Sequence, residues 1–293
     1  MVFLVISCPC ALVISIPLGF FGGIGSASKH GILIKGANYL EALNNVDTVA
    51  MDKAGTLTKG IFKVTEINLS NNLKEISGYD VKVKIEENNI VVGNLQLMKL
   101  ENILVDEKES LGTTVYIGIN GNYIGNILIA DEIKEDSASA IINMKNNGIK
   151  KITMLTGDTK NIGESIAKKL NIDKVYAELL PHQKVEKLED IFKENNNNKN
   201  KIAFVGDGIN DAPVLARADI GIAMGGLGSD AAIEAADIVI MNDEPSKIVT
   251  SIKIAKNTRK IIWQNITFTL IIKIIVLILG TGGIASLYLP MLE

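Results

Sequence analysis

Long apolar stretches occupy both ends of the chain, and short apolar runs separated by polar loops fill the middle. Residues 1 to 21 carry no charge, enough to cross a bilayer core at roughly 1.5 Å per helical residue. A second apolar run, Ile261 to Leu279, follows Lys253, Lys256, Arg259 and Lys260. Between the ends, Val46 to Met51, Lys151 to Leu155 and Ile202 to Val205 read as buried strands. Asn161 to Leu170 reads as a helix with Ile162, Ile166 and Leu170 on one face, and Leu180 to Lys184 opens another. Apolar strands alternating with helices predict a parallel sheet with crossover helices. The stretch from 60 to 128 has a different period. Val81 to Ile85 alternates, Asn88-Asn89 punctuates it before Ile90 to Val92, and Asn120-Gly121 separates Val115–Ile119 from Tyr123–Leu128. These signals predict hairpins, and hence a small antiparallel sheet inserted into the α/β core. Gly31 to Leu43 reads as an amphipathic linker helix, and Asn195 to Asn198 as a low-complexity loop.

Composition adds a location. Hydrophobic residues make up 47% of the chain and mean hydropathy is +0.25, high for a soluble protein, with the excess at the two ends. Lys29, His30 and Lys35 after the first apolar stretch, and the basic cluster before the second, put the central region on the cytoplasmic side. A net charge of −3 gives no reason to expect a nucleic-acid partner. Met1 leads directly into apolar sequence with no basic region and no small-residue cleavage site, so a signal peptide is not expected.

The first apolar stretch contains Cys8-Pro9-Cys10, then Pro17. Proline removes a backbone donor and disturbs the preceding turn, and in lipid such a break survives only where it lines a buried or polar site. Two sulfur ligands beside it suit a soft metal such as Cu(I), Zn(II) or Cd(II); the plainer alternative is a pair of small apolar side chains. Farther along, the three predicted core strands each end in polar residues: Asp52-Lys53-Ala54-Gly55-Thr56-Leu57-Thr58, Thr156-Gly157-Asp158, and Gly206-Asp207-Gly208-Ile209-Asn210-Asp211. Ligands of parallel sheets bind beyond the strand carboxyl ends, so one pocket can gather Asp52, Thr156 and Asp207. Asp52 suits a nucleophile, Thr156 a donor to phosphoryl oxygens, Lys184 a compensating charge, and Asp207 a Mg²⁺ ligand. Asp211 would support the metal site from behind, and Asn210 would donate to phosphate or orient the loop.

The Asp52 stretch resembles the D-K-T-G-T-L-T phosphorylation motif of P-type ATPases, with Ala54 in place of threonine. C-P-C-A-L-V-I-S-I-P resembles the heavy-metal branch of that family, and Val13 and Ser15 resemble its zinc/cadmium/lead subgroup. T-G-D and V-G-D-G-I-N-D-A-P-V-L-A-R-A-D-I-G-I-A-M-G match the same family. The resemblance implies a haloacid-dehalogenase-like phosphorylation domain over 29–59 and 129–250, with a reduced nucleotide-binding domain at 60–128. A Cys-Pro-Cys span is implied at 1–28, and a span plus a truncated last span at 256–293. The implied activity is ATP-driven export of Zn²⁺, Cd²⁺ or Pb²⁺ through an aspartyl phosphate, with Mg²⁺ and ATP, in the plasma membrane. Carried over residue by residue, Asp52, Lys53, Thr156, Lys184, Asp207, Asn210 and Asp211 are catalytic. Thr56, Gly78, Gly93, Asn94, Gly157 and Asp158 contact the nucleotide or phosphate. By the same resemblance Asp52, Asp207 and the Ala54 carbonyl would hold Mg²⁺, and Cys8, Cys10 and Lys273 would meet the transported ion.

The chain departs from the family pattern in several places. Ala54 lacks a hydroxyl near the transferring phosphate, the nucleotide insert is about half the usual length, with strands expected to be kept and helices lost and with no S-x-H-P segment, and Asp80 replaces a glycine. No T-G-E actuator motif occurs, so the expectation is an incomplete chain, with an N-terminal half encoded elsewhere or lost. The alternatives are a non-catalytic remnant of such a pump, a copper-transporting relative, or a soluble phosphatase. The last would need a general acid where Ala54 stands.

Overall fold

The computed structural model describes residues 10–69, 81–85, 88–105, 112–195, 200–225 and 230–281. The described residues begin with helix α1 (Cys10–Lys29), strand β1 (Ile32–Ile34), helix α2 (Ala37–Ala42) and strand β2 (Val46–Asp52). The inserted region follows as β3 (Thr58–Leu69), β4 (Val81–Ile85), β5 (Asn88–Gly93), α3 (Leu95–Leu100), β6 (Thr113–Ile119) and β7 (Asn122–Ile133). The α/β core resumes with α4 (Ser137–Asn146), β8 (Lys151–Leu155), α5 (Lys160–Leu170), β9 (Lys174–Tyr176), α6 (Pro181–Glu194) and β10 (Lys201–Gly206). It closes with α7 (Ala212–Arg217), β11 (Ile220–Met224), α8 (Asp230–Ala235), β12 (Ile238–Ile240) and the long α9 (Ser246–Thr281).

The larger sheet has the order β1-β12-β11-β10-β2-β8-β9. Its pairs are parallel except β1–β12, which is an antiparallel edge. Side chains alternate between two apolar layers, as they must in strands buried on both faces. Val49, Met51, Ala203 and Val205 join one cluster; Ala50, Ile202 and Phe204 join the other. The fold is therefore α/β with a mostly parallel sheet, as the alternating pattern predicts.

The insert is an antiparallel sheet ordered β3-β7-β6-β5-β4. The β6–β7 hairpin turns at Asn120 (φ 51°) and Gly121 (φ 79°), the two positive values a tight type I′ turn requires. Asn120 Oδ1 accepts from Asn89 N at 2.8 Å, which ties this turn to the neighbouring strand.

The structure corrects several sequence expectations. Asn88 and Asn89 are not a turn: they pair with Ile85 and Lys84 as the start of β5, the ladder bonds of the sheet prevailing over the turn preference of asparagine. Gly31 to Leu43 is not one helix; Ile32 to Ile34 are apolar enough to add β1 to the sheet edge, leaving the short α2. The insert keeps a helix, α3, whose buried Met98 packs with Val91 and Tyr116. The strand expected to stop at Leu128 continues to Ile133.

Among the described residues, two helices are long and apolar enough to cross a membrane, over Leu12–Lys29 and Ser246–Leu279. Pro17 lies within α1. The helices pack closely: a Cβ on Gly23 would lie 2.4 Å from Thr258 Oγ1, and one on Gly19 2.8 Å from Ile262. Small residues four apart let helix backbones approach where lipid supplies no hydrophobic drive. Val13, Leu18, Phe21, Trp263 and Phe268 face outward.

Candidate active site

The strand order reverses at β2. The chain leaves it for β8 and β9 on one side, then returns for β10, β11 and β12 on the other. Open parallel sheets bind ligands beyond the carboxyl ends of the strands at such a reversal. Asp52 ends β2, and Asp207 follows Gly206 at the end of β10. Thr156 follows Leu155, which pairs with Asp52 across β2 and β8.

Carboxylate oxygens of Asp52, Asp207 and Asp211 lie within 4.8 Å of one another. Lys184, in the first turn of α6, donates to Asp52 Oδ1 and to Asp211 Oδ1, each at 2.8 Å. Pro181 begins that turn, and Gln183 Oε1 accepts from Leu180 N at 2.9 Å, fixing the backbone that carries Lys184. Asp52, Lys184 and Asp211 are all buried. Asp211, expected to stand behind the metal site, shares the cluster directly, because the short turn Ile209–Asp211 folds it back toward β10. Asn210 in the same turn is exposed.

One lysine does not balance three carboxylates. Burial, then the Asp211 charge, pushes the Asp52 carboxyl up to about 7 against the opposing pull of Lys184. Burial and then Asp211 push Asp207 up to about 6, with Asp243 adding and Lys134 opposing. Burial works to discharge Lys184, but the Asp52 and Asp211 charges outweigh it and hold its ammonium above the usual lysine range. Hard oxygen donors short of positive charge suit Mg²⁺, so Asp52, Asp207 and Asp211 fit such an ion.

The loop after Asp52 is built for close approach. Gly55 has φ 66°, and a Cβ there would lie 1.7 Å from Asp207 Oδ2. Leu57 N and Thr58 N both donate to Lys53 O, at 2.9 and 3.1 Å. Thr56 is fully buried, and its hydroxyl has no hydrogen-bond partner among the described residues. Buried hydroxyls are normally satisfied, and a phosphoryl oxygen would satisfy this one. Ala54 is exposed. Thr156 Oγ1 accepts from Asp158 N at 3.1 Å, which leaves its own proton to donate.

Other sequence candidates are placed differently. Buried Lys53 pairs with Asp158 Oδ2 at 2.6 Å and Asp131 Oδ2 at 3.4 Å, tying the Thr156-Gly157-Asp158 loop to the end of β7. Gly93 ends β5 opposite Tyr116. Asn94 Oδ1 accepts from Leu97 N at 2.9 Å as the cap of α3, a structural task within the insert. Gly78 and Cys8 lie outside the described residues, Cys10 is the first described residue of α1, and Lys273 lies inside α9.

Sequence reasoning missed Asp131, Lys134 and Asp243. Thr58 Oγ1 donates to Asp131 Oδ2 at 2.5 Å, and Lys134 Nζ donates to Gly55 O at 2.5 Å. The available signal was the charged run Asp131 to Lys134 directly after an apolar strand.

Residues 46–219 match the hydrolase family described as haloacid dehalogenase-like hydrolase, which spans most of the chain and every residue of the cluster. The chain belongs to the haloacid dehalogenase-like hydrolase family. Within it, the chain is 51% identical to the cadmium, zinc and cobalt-transporting ATPase of Bacillus subtilis (strain 168), covering 98% of this chain and 47% of that protein. It is 46% identical to the zinc-transporting ATPase of a Synechocystis species, covering 98% of this chain and 45% of that protein. In three dimensions it is similar to the crystal structure of a zinc-transporting PIB-type ATPase in its E2·Pi state, with a TM-score of 0.82 and 30% identity over 98% of this chain and 54% of that one. This haloacid dehalogenase-like chain thus spans about half the length of the curated relatives it matches. The Bacillus alignment runs to 328 positions although the chain has 293 residues, so that relative carries residues with no counterpart here.

Proposed function

We propose that this chain is the C-terminal half of a heavy-metal P-type ATPase that exports Zn²⁺, Cd²⁺ or Pb²⁺ through a phosphorylated Asp52. The observation that carries this reading is Lys184 bridging Asp52 and Asp211 at 2.8 Å, where the sheet reverses. Ionised Asp52 would attack the γ-phosphorus of ATP, forming a phosphorus–oxygen bond, while the bond to the β,γ-bridging oxygen breaks and ADP leaves with its electron pair. Lys184 offsets charge gathering around the equatorial oxygens, and Thr56 and Thr156 donate to them. Bound Mg²⁺ would supply further positive charge, held by Asp52, Asp207, Asp211 and the Ala54 carbonyl. Lys53 would act through Asp158 and Asp131, keeping two loops and the end of β7 in register.

The same reading divides the chain into a Cys-Pro-Cys span at 1–28, a phosphorylation domain at 29–59 and 129–250, a reduced nucleotide domain at 60–128 and the terminal spans at 256–293. Cys8, Cys10 and Lys273 would face the transported ion. The pump would be a multi-pass protein of the plasma membrane with its central domains cytoplasmic, working together with an N-terminal half. The outward-facing Val13, Leu18, Phe21 and Phe268 support contact with lipid. Incubation of the chain with γ-labelled ATP, Mg²⁺ and Zn²⁺ should give an acid-stable, hydroxylamine-labile label; equal labelling of Asp52→Asn would end the proposal.

Ala54 favours a second reading, a remnant that keeps the fold and has lost turnover. One missing charge-assisted hydrogen bond in the transition state slows a reaction by about 10²-fold. Labelling absent in the wild-type chain and in Ala54→Thr would select it.

A further inference from the structure

One lysine outside the carboxylate cluster is committed to two distant parts of the chain. Lys134 follows the end of β7 and is buried. Its Nζ donates to Gly55 O at 2.5 Å and to Asp243 O at 3.0 Å, and it pairs with Asp243 Oδ2 at 3.0 Å. An ammonium has three donors, and these contacts engage all of them. Gly55 belongs to the loop that follows Asp52, whereas Asp243 sits at φ 57° in the turn leading into α9.

Neighbouring residues repeat the connection. Lys134 N donates to Leu57 O at 3.0 Å, and Ser137 Oγ donates to the same carbonyl at 2.8 Å. Asp136 Oδ2 accepts from Ser246 N, the first residue of α9, at 2.8 Å. Residues 134–137 therefore hold the nucleophile loop with one set of bonds and the head of the long apolar helix with another.

We propose that Lys134 is a positioning residue that latches the nucleophile loop to the head of α9, so that a change at Asp52 is passed to the apolar helix. The inference builds on the phosphorylation reading above. A phosphoryl group on Asp52 draws the Gly55 and Thr56 backbone toward new acceptors, and the Gly55 carbonyl moves with it. A buried ammonium is costly without its partners. Lys134 must follow the carbonyl and take Asp243 along, or give up one of its bonds. Asp243 leads straight into a continuous helix, and a rigid helix carries a displacement at its head along its length.

The test uses the full chain in detergent micelles and follows hydrogen exchange in segments 53–58 and 243–250. Beryllium fluoride with Mg²⁺ serves as the phosphoryl mimic. In the wild-type chain the mimic should slow exchange in both segments. Lys134→Met should keep the response at 53–58, lose it at 243–250, and exchange about tenfold faster at 243–250 without the mimic, as expected for one lost charge-assisted bond. Lys134→Arg should restore part of the distant response, which a lysine serving stability alone would not require. A response at 243–250 that persists in Lys134→Met overturns the inference, as does a wild-type response confined to 53–58. Failure of the wild-type chain to bind the mimic overturns the phosphorylation reading as well, so the two failures are told apart.

Discussion

A Cβ added to Gly55 would fall 1.7 Å from Oδ2 of Asp207. The loop after the nucleophile and the acid at the end of the neighbouring strand are thus packed backbone against carboxylate. Gly55→Ala should destabilise the chain by about 1–2 kcal/mol from its positive φ alone and push Asp207 out of the cluster. Phosphoenzyme formation should fall by about 10²-fold or more, measured beside urea unfolding of the same variant. Unchanged labelling would mean that Asp207 is not needed where it stands.

Lys184 is the cation shared by Asp52 and Asp211. Lys184→Met leaves two buried carboxylates facing each other, and breaking a buried pair in this way costs about 3–5 kcal/mol. Labelling should drop by roughly 10²- to 10³-fold. The loss of stability should be greater at pH 8 than at pH 5, because protonation relieves the repulsion. Denaturant midpoints at the two pH values check this.

The raised carboxyls give the chain a pH signature. Asp52 and Asp207 titrate at about 7 and about 6 in the folded chain against an ordinary value of 3.8. The folded state therefore holds protons that the unfolded state has released. The stability these groups contribute is fully present below about pH 4 and is lost as pH rises through 6 and 7. In EDTA, stability should fall over that window, Asp52→Asn should flatten the slope, and Mg²⁺ should restore stability at pH 8. Proton release on adding Mg²⁺ at pH 6 provides an independent reading.

Much of this arrangement was legible in the residues, and the reasons differ by element. Lys151 to Leu155 carries Ile152, Met154 and Leu155 in a short run that is buried after its first residue, as a strand covered on both faces must be, and the structure returns the same bounds. Asn120-Gly121 specifies its turn through backbone chemistry alone. Asp52, Thr156 and Asp207 followed from a topological rule, since each ends an adjacent strand. Lys134 and Asp243 did not, because Lys134 meets the Gly55 carbonyl and the Asp243 oxygens far away in sequence, and nothing in a charged loop residue tells which distant group it will meet. Asn88-Asn89 misled because asparagine signals turns on average, while here the strand pairing with Ile85 and Lys84 prevailed.

Ala54 is exposed, so a threonine fits there without displacing a neighbour. Ala54→Thr should raise the rate of phosphoenzyme formation by about 10- to 10²-fold through a regained hydroxyl donor, with little change in thermal stability. Rapid-quench labelling of the two chains side by side measures it, and equal rates would remove Ala54 as the reason for slow turnover.

The central claim is that Asp52 accepts a phosphoryl group. Borohydride reduces an acyl phosphate to an alcohol, so an aspartyl phosphate becomes homoserine. After incubation with ATP, Mg²⁺ and Zn²⁺, reduction and peptide mass spectrometry should find homoserine at position 52 and aspartate at positions 207 and 211. Unmodified aspartate at position 52, in a chain that still hydrolyses ATP, would contradict the account.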